Sequence, residues 1–540
     1  MTDQPGTPDP TTPPPEPDVA PVEEAVRAGY DFTGPALELG ALMLDAQTQS
    51  SARVRIPLAM LNRHGLVAGA TGTGKTKTLQ LLAEQLSAHG VPVFAADIKG
   101  DLSGLATPGE GGAKIEARAV SVGQEWAATG FPVELYALGG EGTGIPLRVT
   151  MSSFGPTLLS KVLSLNDTQE SSLGLVFHYA DKAGLPLLDL ADLRAVVGHL
   201  VSDEGKAELK ALGGLSSATA GVILRELIAF QDQGADAFFG EPEFASSDLL
   251  EVTPQGQGLI SLVELPQLQD RPAIFSTFLM WLLADLFHDL PEVGDVDRPK
   301  LVFFFDEAHL LFRDASKAFL DQIAQTVRLI RSKGVGVFFV TQAPTDVPDD
   351  VLAQLGSRVQ HQLRAHTPKD AKALKATVST YPTSEYDDLG EVITSLGIGE
   401  AVVTVMDERG APTPVAWTRL RAPESLMAPS DPTAMQALVQ ASARHATYAA
   451  AVDRESAREI LAAKLEEGAR KKEAETQAEE AERARQEAEK AAEKSAGKAP
   501  TKKQEEGSIV HDVVSSGAFK DFMRTAAREV ARGIFGTARK

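Results

Sequence analysis

The 540-residue chain contains no cysteine, which excludes disulfides, thiolate metal sites and cysteine nucleophiles together. It has no excess of positive charge: 52 Lys and Arg stand against 74 Asp and Glu, a net charge of −22. A chain so acidic is not a general nucleic-acid coat protein, although a local basic channel is compatible with it. It also lacks a hydrophobic run that spans a bilayer. The most apolar stretch, 273–287, is interrupted by Ser276, Thr277 and Asp285 and falls short of roughly 20 residues. The opening MTDQPGTPDP has neither a positive n-region nor an apolar h-region, so no secretory signal is expected and the chain reads as cytoplasmic.

What is present is material for a large core, with 43% hydrophobic and 23% charged residues. At about 150 residues per domain, this length suggests three or four units. Residues 1–25 hold eight prolines among Asp, Glu and Thr and read as a disordered leader. From Tyr30 to Leu420, short β-branched runs alternate with helical patterns, the signature of a mostly parallel α/β sheet. The expected strands are 65–68, 92–96, 133–138, 258–265, 301–305, 335–340 and 358–363, with a hairpin over 400–406 and 414–419 closing a motor of residues 26–424. Residues 151–250 read as a helical insertion, and 271–290 as a buried apolar helix.

The strongest motif is Gly69-Ala70-Thr71-Gly72-Thr73-Gly74-Lys75-Thr76, which matches G-x-x-x-x-G-K-[ST] between a short apolar strand and a helix. Glycines let successive N–H groups curl inward as an anion nest, and the following helix adds its positive end. Lys75 then reaches the β- and γ-phosphates of ATP, and the Thr76 hydroxyl holds Mg²⁺. Thr78, one turn into the helix, joins the expected nucleotide-contacting set. Downstream, Leu301–Phe305 is wholly apolar and ends in Asp306-Glu307. That places two acids at a strand's carboxyl end, where ligands collect in open α/β sheets. Asp306 is expected to bind Mg²⁺ and Glu307 to polarise the attacking water. Gln342 follows the strand 335–340 and is a candidate for sensing the γ-phosphate, while the segment Asp97-Ile98-Lys99-Gly100-Asp101, with Asp97 as its candidate nucleotide contact, is expected to open towards the same cleft in a nucleotide-side or coupling role.

Four segments in this order, GATGTGKT, DIKGDLSGL, LVFFFDEAHLLF and RLIRSKGVGVFFVTQAP, resemble the HerA-like branch of the additional-strand P-loop ATPases. Within that branch, DIKGDLSGL is similar to a bacterial subgroup, the YjgR-like proteins of unknown function. The resemblance implies a RecA-like P-loop NTPase core, ATP hydrolysis with Mg²⁺, and a homo-oligomeric ring, commonly a hexamer, around DNA. Such rings complete each site with a neighbour's arginine. Arg328 and Arg331 match that region, with Arg358 and Arg364 as further candidates. Only about 40 residues of ordered texture precede Gly69, too few for the small barrel that docks a nuclease in that family. A nuclease partner is therefore not expected. The alternatives are an ATPase acting on a protein cargo and a nucleotide-gated scaffold.

The C-terminal part reads as a helical extension (425–465), a charged Ala/Glu/Lys helix or linker (466–506) and an amphipathic basic helix (507–540). Ala474, Ala478, Ala481, Ala484, Ala488 and Ala491 recur at helical spacing, a thin seam for a coiled coil. In the last segment Lys520, Arg524, Arg528 and Arg532 form a basic stripe.

Overall fold

The computed structural model describes residues 21–138, 142–209, 213–265, 272–294, 296–312, 317–382, 384 and 386–496. The chain divides into two compact units, Met1–Ala463 and Lys464–Lys540.

The first unit is built on one sheet of 12 strands. In chain order they are β1 (Ala36–Leu44), β2 (Gln47–Pro57), β3 (Gly65–Ala68), β4 (Val93–Asp97), β5 (Val133–Leu138), β6 (Ile145–Leu147), β7 (Ile260–Glu264), β8 (Leu301–Phe305), β9 (Val335–Thr341), β10 (Ser357–Gln360), β11 (Glu400–Thr404) and β12 (Ala416–Leu420). Their spatial order is β2-β1-β12-β11-β10-β3-β9-β8-β4-β7-β5-β6. From β10 to β6 every ladder is parallel, and from β10 to β2 every ladder is antiparallel. This is an α/β fold with a RecA-like P-loop core. The central strands β4, β8 and β9 are buried along their whole length, which is why they read as continuous apolar runs rather than alternating ones. β9 lies between β3 and β8, pairing Leu66 with Phe339 on one side and Phe303 with Val337 on the other.

Three strands were not expected from sequence. β6 is only three residues long. β1 and β2 form a hairpin whose turn, Asp45-Ala46, has positive φ at both residues (48° and 61°). Such turns usually announce themselves as Asn-Gly or Asp-Gly, so this one is silent in the sequence. The leader boundary also needs correction, because Pro21–Gly29 is helical. Val26 and Tyr30 are fully buried, the Tyr30 hydroxyl donates to the Pro414 carbonyl (2.9 Å), and Arg27 pairs with Glu23 at 2.7 Å. Proline is well suited to the first turn of a helix, and here it starts one.

Five helices between β6 and β7, spanning 151–232, lie where the helical insertion was expected. Helix Pro272–Asp289 runs into the core, where Phe278 meets Phe94 (6.3 Å between ring centroids) and Trp281 is buried. Helices Pro432–Ala441 and Ala443–Tyr448 follow the sheet. Helix Ala457–Ala496 begins in the first unit. Within the second unit its described side chains are exposed save for the half-buried Gly468, with the alanine positions 474–491 open to solvent. The expected basic helix at 507–540 lies outside the described residues.

Candidate functional site

β3 delivers Gly69 to the carboxyl end of the sheet, and helix Lys75–Ala88 starts six residues later. Three neighbours brace the loop between them. The Gly69 N–H donates to the Thr341 carbonyl (3.2 Å), the Ala70 N–H to Gln362 (2.8 Å), and the Gly399 N–H to Thr73 (3.0 Å). Gly72 and Gly74 have φ of 84° and 117°, conformations that favour glycine. A Cβ on Gly72 would meet nothing within 4 Å, so the loop's crest faces open space. The helix has no side-chain cap and no acid in its first turn, which leaves its leading N–H groups for an anion. Lys75 is buried and donates to the Gly69 carbonyl (2.7 Å). Burial lowers its pKa, while the nearby Glu307 and Asp306 oppose that shift.

β8 brings Asp306 and Glu307 to the same end of the sheet. Asp306 is buried and its pKa is pushed up to about 6, first by burial and then by the charge of Glu307. Glu307 sits in the left-handed region at φ 47°, a cost of order 1 kcal/mol for a non-glycine residue. One of its carboxylate oxygens is 2.5 Å from the Lys99 ammonium. The other lies 3.3 Å from His309 Nδ1, close enough for charge support but off the line a hydrogen bond needs. His309 and Lys99 together outweigh burial and hold this carboxyl down to about 2.

Sequence reasoning placed the segment that holds Lys99 towards the cleft but gave Lys99 no role of its own. Asp97, expected in the nucleotide cleft, is instead buried and accepts backbone N–H groups from Lys99, Gly100, Asp101 and Leu102. It builds the turn that carries Lys99 to Glu307, and the parallel pairing of Ala96 with Phe305 puts the two strand ends side by side. Replacing Lys99 by Met should therefore raise the Glu307 pKa. In a mechanism that uses Glu307 as the general base, which acts only when ionised, the acid limb of the turnover profile is then expected to move to higher pH. A pH–rate series on Lys99→Met checks this, and an unmoved limb would show that His309 suffices.

The other expected residues divide among three places. Thr78 faces the interior, with its hydroxyl 2.9 Å from His361 Nε2, and so props the loop from behind. Thr71, Gln342 and Arg364 line a cavity of about 730 Å³ above the phosphate loop, together with His309 and Asp346. Arg328, Arg331 and Arg358 line, with Arg63, a different cavity of about 590 Å³ at the amino ends of the parallel strands β3, β9 and β10, away from this chain's own phosphate loop. Thr76 and Asp306 offer hard oxygen donors suited to Mg²⁺. Among the described residues no cluster of three or more His, Cys, Asp or Glu side chains forms a metal cage. An ion held by this pair would draw its remaining ligands from phosphate and water, the usual Mg²⁺ pattern.

A model of the family described as "Helicase HerA-like C-terminal" matches residues 43–540. The DNA double-strand break repair helicase HerA of Saccharolobus solfataricus is 20% identical over 376 residues, which cover 67% of this chain and 66% of that protein. For the protein of the same name from Sulfolobus acidocaldarius the identity is 20% over 357 residues, covering 66% and 64%. The chain thus spans just under two thirds of the length of these relatives. Among solved structures, the bacterial conjugative coupling protein TrwBdeltaN70 superposes with a TM-score of 0.49 at 16% identity, over 76% of this chain and 94% of its own.

Proposed function

The chain belongs to the HerA-like helicase family, and from that premise we propose that it is an ATP-hydrolysing ring motor acting on DNA. The observation that carries the reading is the meeting of Lys75, Asp306 and Glu307 at one end of the sheet, just beyond two strands, β3 and β8, that are separated by a third. In this reading the backbone of Gly69–Thr76 cradles the triphosphate of ATP, and Lys75 neutralises its outer phosphates. Thr76 and Asp306 hold Mg²⁺, which supplies charge neutralisation at the reacting phosphoryl group. Glu307 accepts a proton from the attacking water, and Gln342, exposed at the cleft mouth, orients that water. Arg331 and Arg328 serve the neighbouring subunit's site, where an arginine supplied in trans raises turnover by about 10³–10⁵ in related phosphoryl transferases.

The test is steady-state ATP turnover of the purified chain with and without single- and double-stranded DNA, beside Lys75→Ala. We expect turnover that DNA raises several-fold and that the variant lacks. Turnover indifferent to DNA would remove DNA as the cargo and leave a protein cargo as the successor. Absence of turnover would remove the motor itself.

A further inference from the structure

The phosphate loop is braced on the flank that faces away from the acidic pair. The sheet order β11-β10-β3-β9-β8 puts Asp306 and Glu307 on one side of the loop and the start of β11 on the other. β11 runs antiparallel to β10, and β10 parallel to β3, so the amino end of β11 lies level with the loop. There Gly397-Ile398-Gly399-Glu400 makes a tight turn. The Glu400 N–H donates to the Gly397 carbonyl (3.1 Å). Gly399 has φ of 74° at the third position, which in a type II turn calls for glycine.

Several partners fix this turn. The Gly399 N–H donates to Thr73 of the loop at 3.0 Å, and a Cβ on Gly74 would come within 3.3 Å of the Gly399 nitrogen. Arg118, from helix Ala113–Val122, donates to the carbonyls of Ile398, Gly399 and Leu420, each at 3.1 Å. The Glu400 carboxylate accepts the Gly397 N–H (3.0 Å) and the Trp417 indole N–H (3.1 Å). The carbonyls of residues 397–399 therefore each have a donor already. What projects from the turn is the Ile398 side chain, and it is 76% exposed. A lone surface isoleucine is ordinary. This one is set apart by its mounting, a rigid turn hydrogen-bonded to the loop that would cradle the phosphates. A triphosphate with its γ end towards Glu307 would run along the loop and send its nucleoside out on the opposite flank, where Ile398 stands.

We propose that the Gly397–Glu400 turn is the nucleobase platform of the phosphate-loop site, with Ile398 packing on the face of a purine. The inference rests on the nucleotide-binding reading given above. A branched aliphatic side chain gains by leaving water for the broad apolar face of a base. With the carbonyls of the turn already engaged, the platform takes the ring by its face rather than its edge. Adenine and guanine should then be held alike. Arg118 touches no ligand in this scheme and is a positioning residue, tying the turn to its helix and to the end of β12.

Calorimetric titration of ATP, GTP and inorganic tripolyphosphate into the full-length chain tests this. Because Ile398 is exposed, Ile398→Ala should fold as the parent does. It should weaken ATP and GTP by roughly fivefold or more, the effect of withdrawing about three carbons from contact with the ring. Tripolyphosphate, which has no base, should bind unchanged. Ile398→Phe restores an apolar surface and should recover the parental ATP affinity, again without effect on tripolyphosphate. Equal ATP affinity in Ile398→Ala and the parent would overturn the platform and leave the phosphate loop in place. A loss confined to one purine would overturn it too, since an edge would then be read. A matching loss of tripolyphosphate would show that the turn only supports the loop. Lys75→Ala should weaken all three ligands together. If the parent binds none of the three, the nucleotide-binding reading fails and the platform falls with it.

Discussion

Glu307→Gln should reduce ATP turnover by about 10²–10⁴, the usual worth of a positioned general base, while ATP still binds. The substitution keeps the size and the hydrogen-bonding reach of the side chain but removes the proton acceptor. It also removes a negative charge beside Lys75, so affinity for the triphosphate should hold or tighten slightly. Equilibrium binding of a fluorescent ATP analogue, beside single-turnover hydrolysis, reads the two quantities apart. Turnover within tenfold of the parent would mean that another group takes the proton. A joint loss of binding and turnover would mean that Glu307 builds the site rather than acts in it.

Phe304→Ala should be the most damaging single change to stability near the site. Phe304 is fully buried in β8, opposite Ala95 of β4 and Phe338 of β9, with 5.4 Å between the phenylalanine ring centroids. Truncating such a residue costs about 3–5 kcal/mol, from a total that is typically about 5–15. At about 1.4 kcal/mol per tenfold, the folding equilibrium shifts by roughly two to three and a half powers of ten. A denaturant midpoint measures it, with Val120→Ala as the contrast. Val120 is 80% exposed, and its truncation should stay within about 0.5 kcal/mol. A midpoint shift no larger than that of Val120→Ala would mean that β8 repacks around the gap. Because Phe304 stands two residues before Asp306, the surviving folded fraction should also lose activity.

The contrast between these residues shows what was legible in the sequence. β8 and β9 announce themselves, because a strand covered on both faces has to be apolar throughout. The phosphate loop does so too, because its chemistry restricts residue types at fixed spacing. Lys99 had no such signal. A lysine in a turn is ordinary until the pairing of β4 with β8 brings it to Glu307, 208 residues further along the chain. Asp97 was noticed for its place at a strand end, but its carboxylate serves the local backbone. The arginines before β9 were visible as a cluster. That they lie away from their own chain's phosphate loop follows only once β3, β9 and β10 are known to run parallel, and Arg63 joins them through that same alignment. The β1–β2 hairpin stayed hidden because its tight turn uses Asp-Ala where glycine would have signalled it.

The position of β9 has a consequence for distance. Neighbouring strands lie about 4.8 Å apart, so placing β9 between β3 and β8 sets the phosphate loop and the acidic pair about 10 Å apart across the sheet. Adjacent strands would leave a gap narrower than one phosphoryl group with its cation. Two strands between them would put a proton acceptor beyond reach of a water lined up on that group. One intervening strand makes the backbone a gauge, fixing the working clearance by hydrogen-bond geometry rather than by side chains. Changes on the faces of β9 should then alter stability long before they alter that spacing.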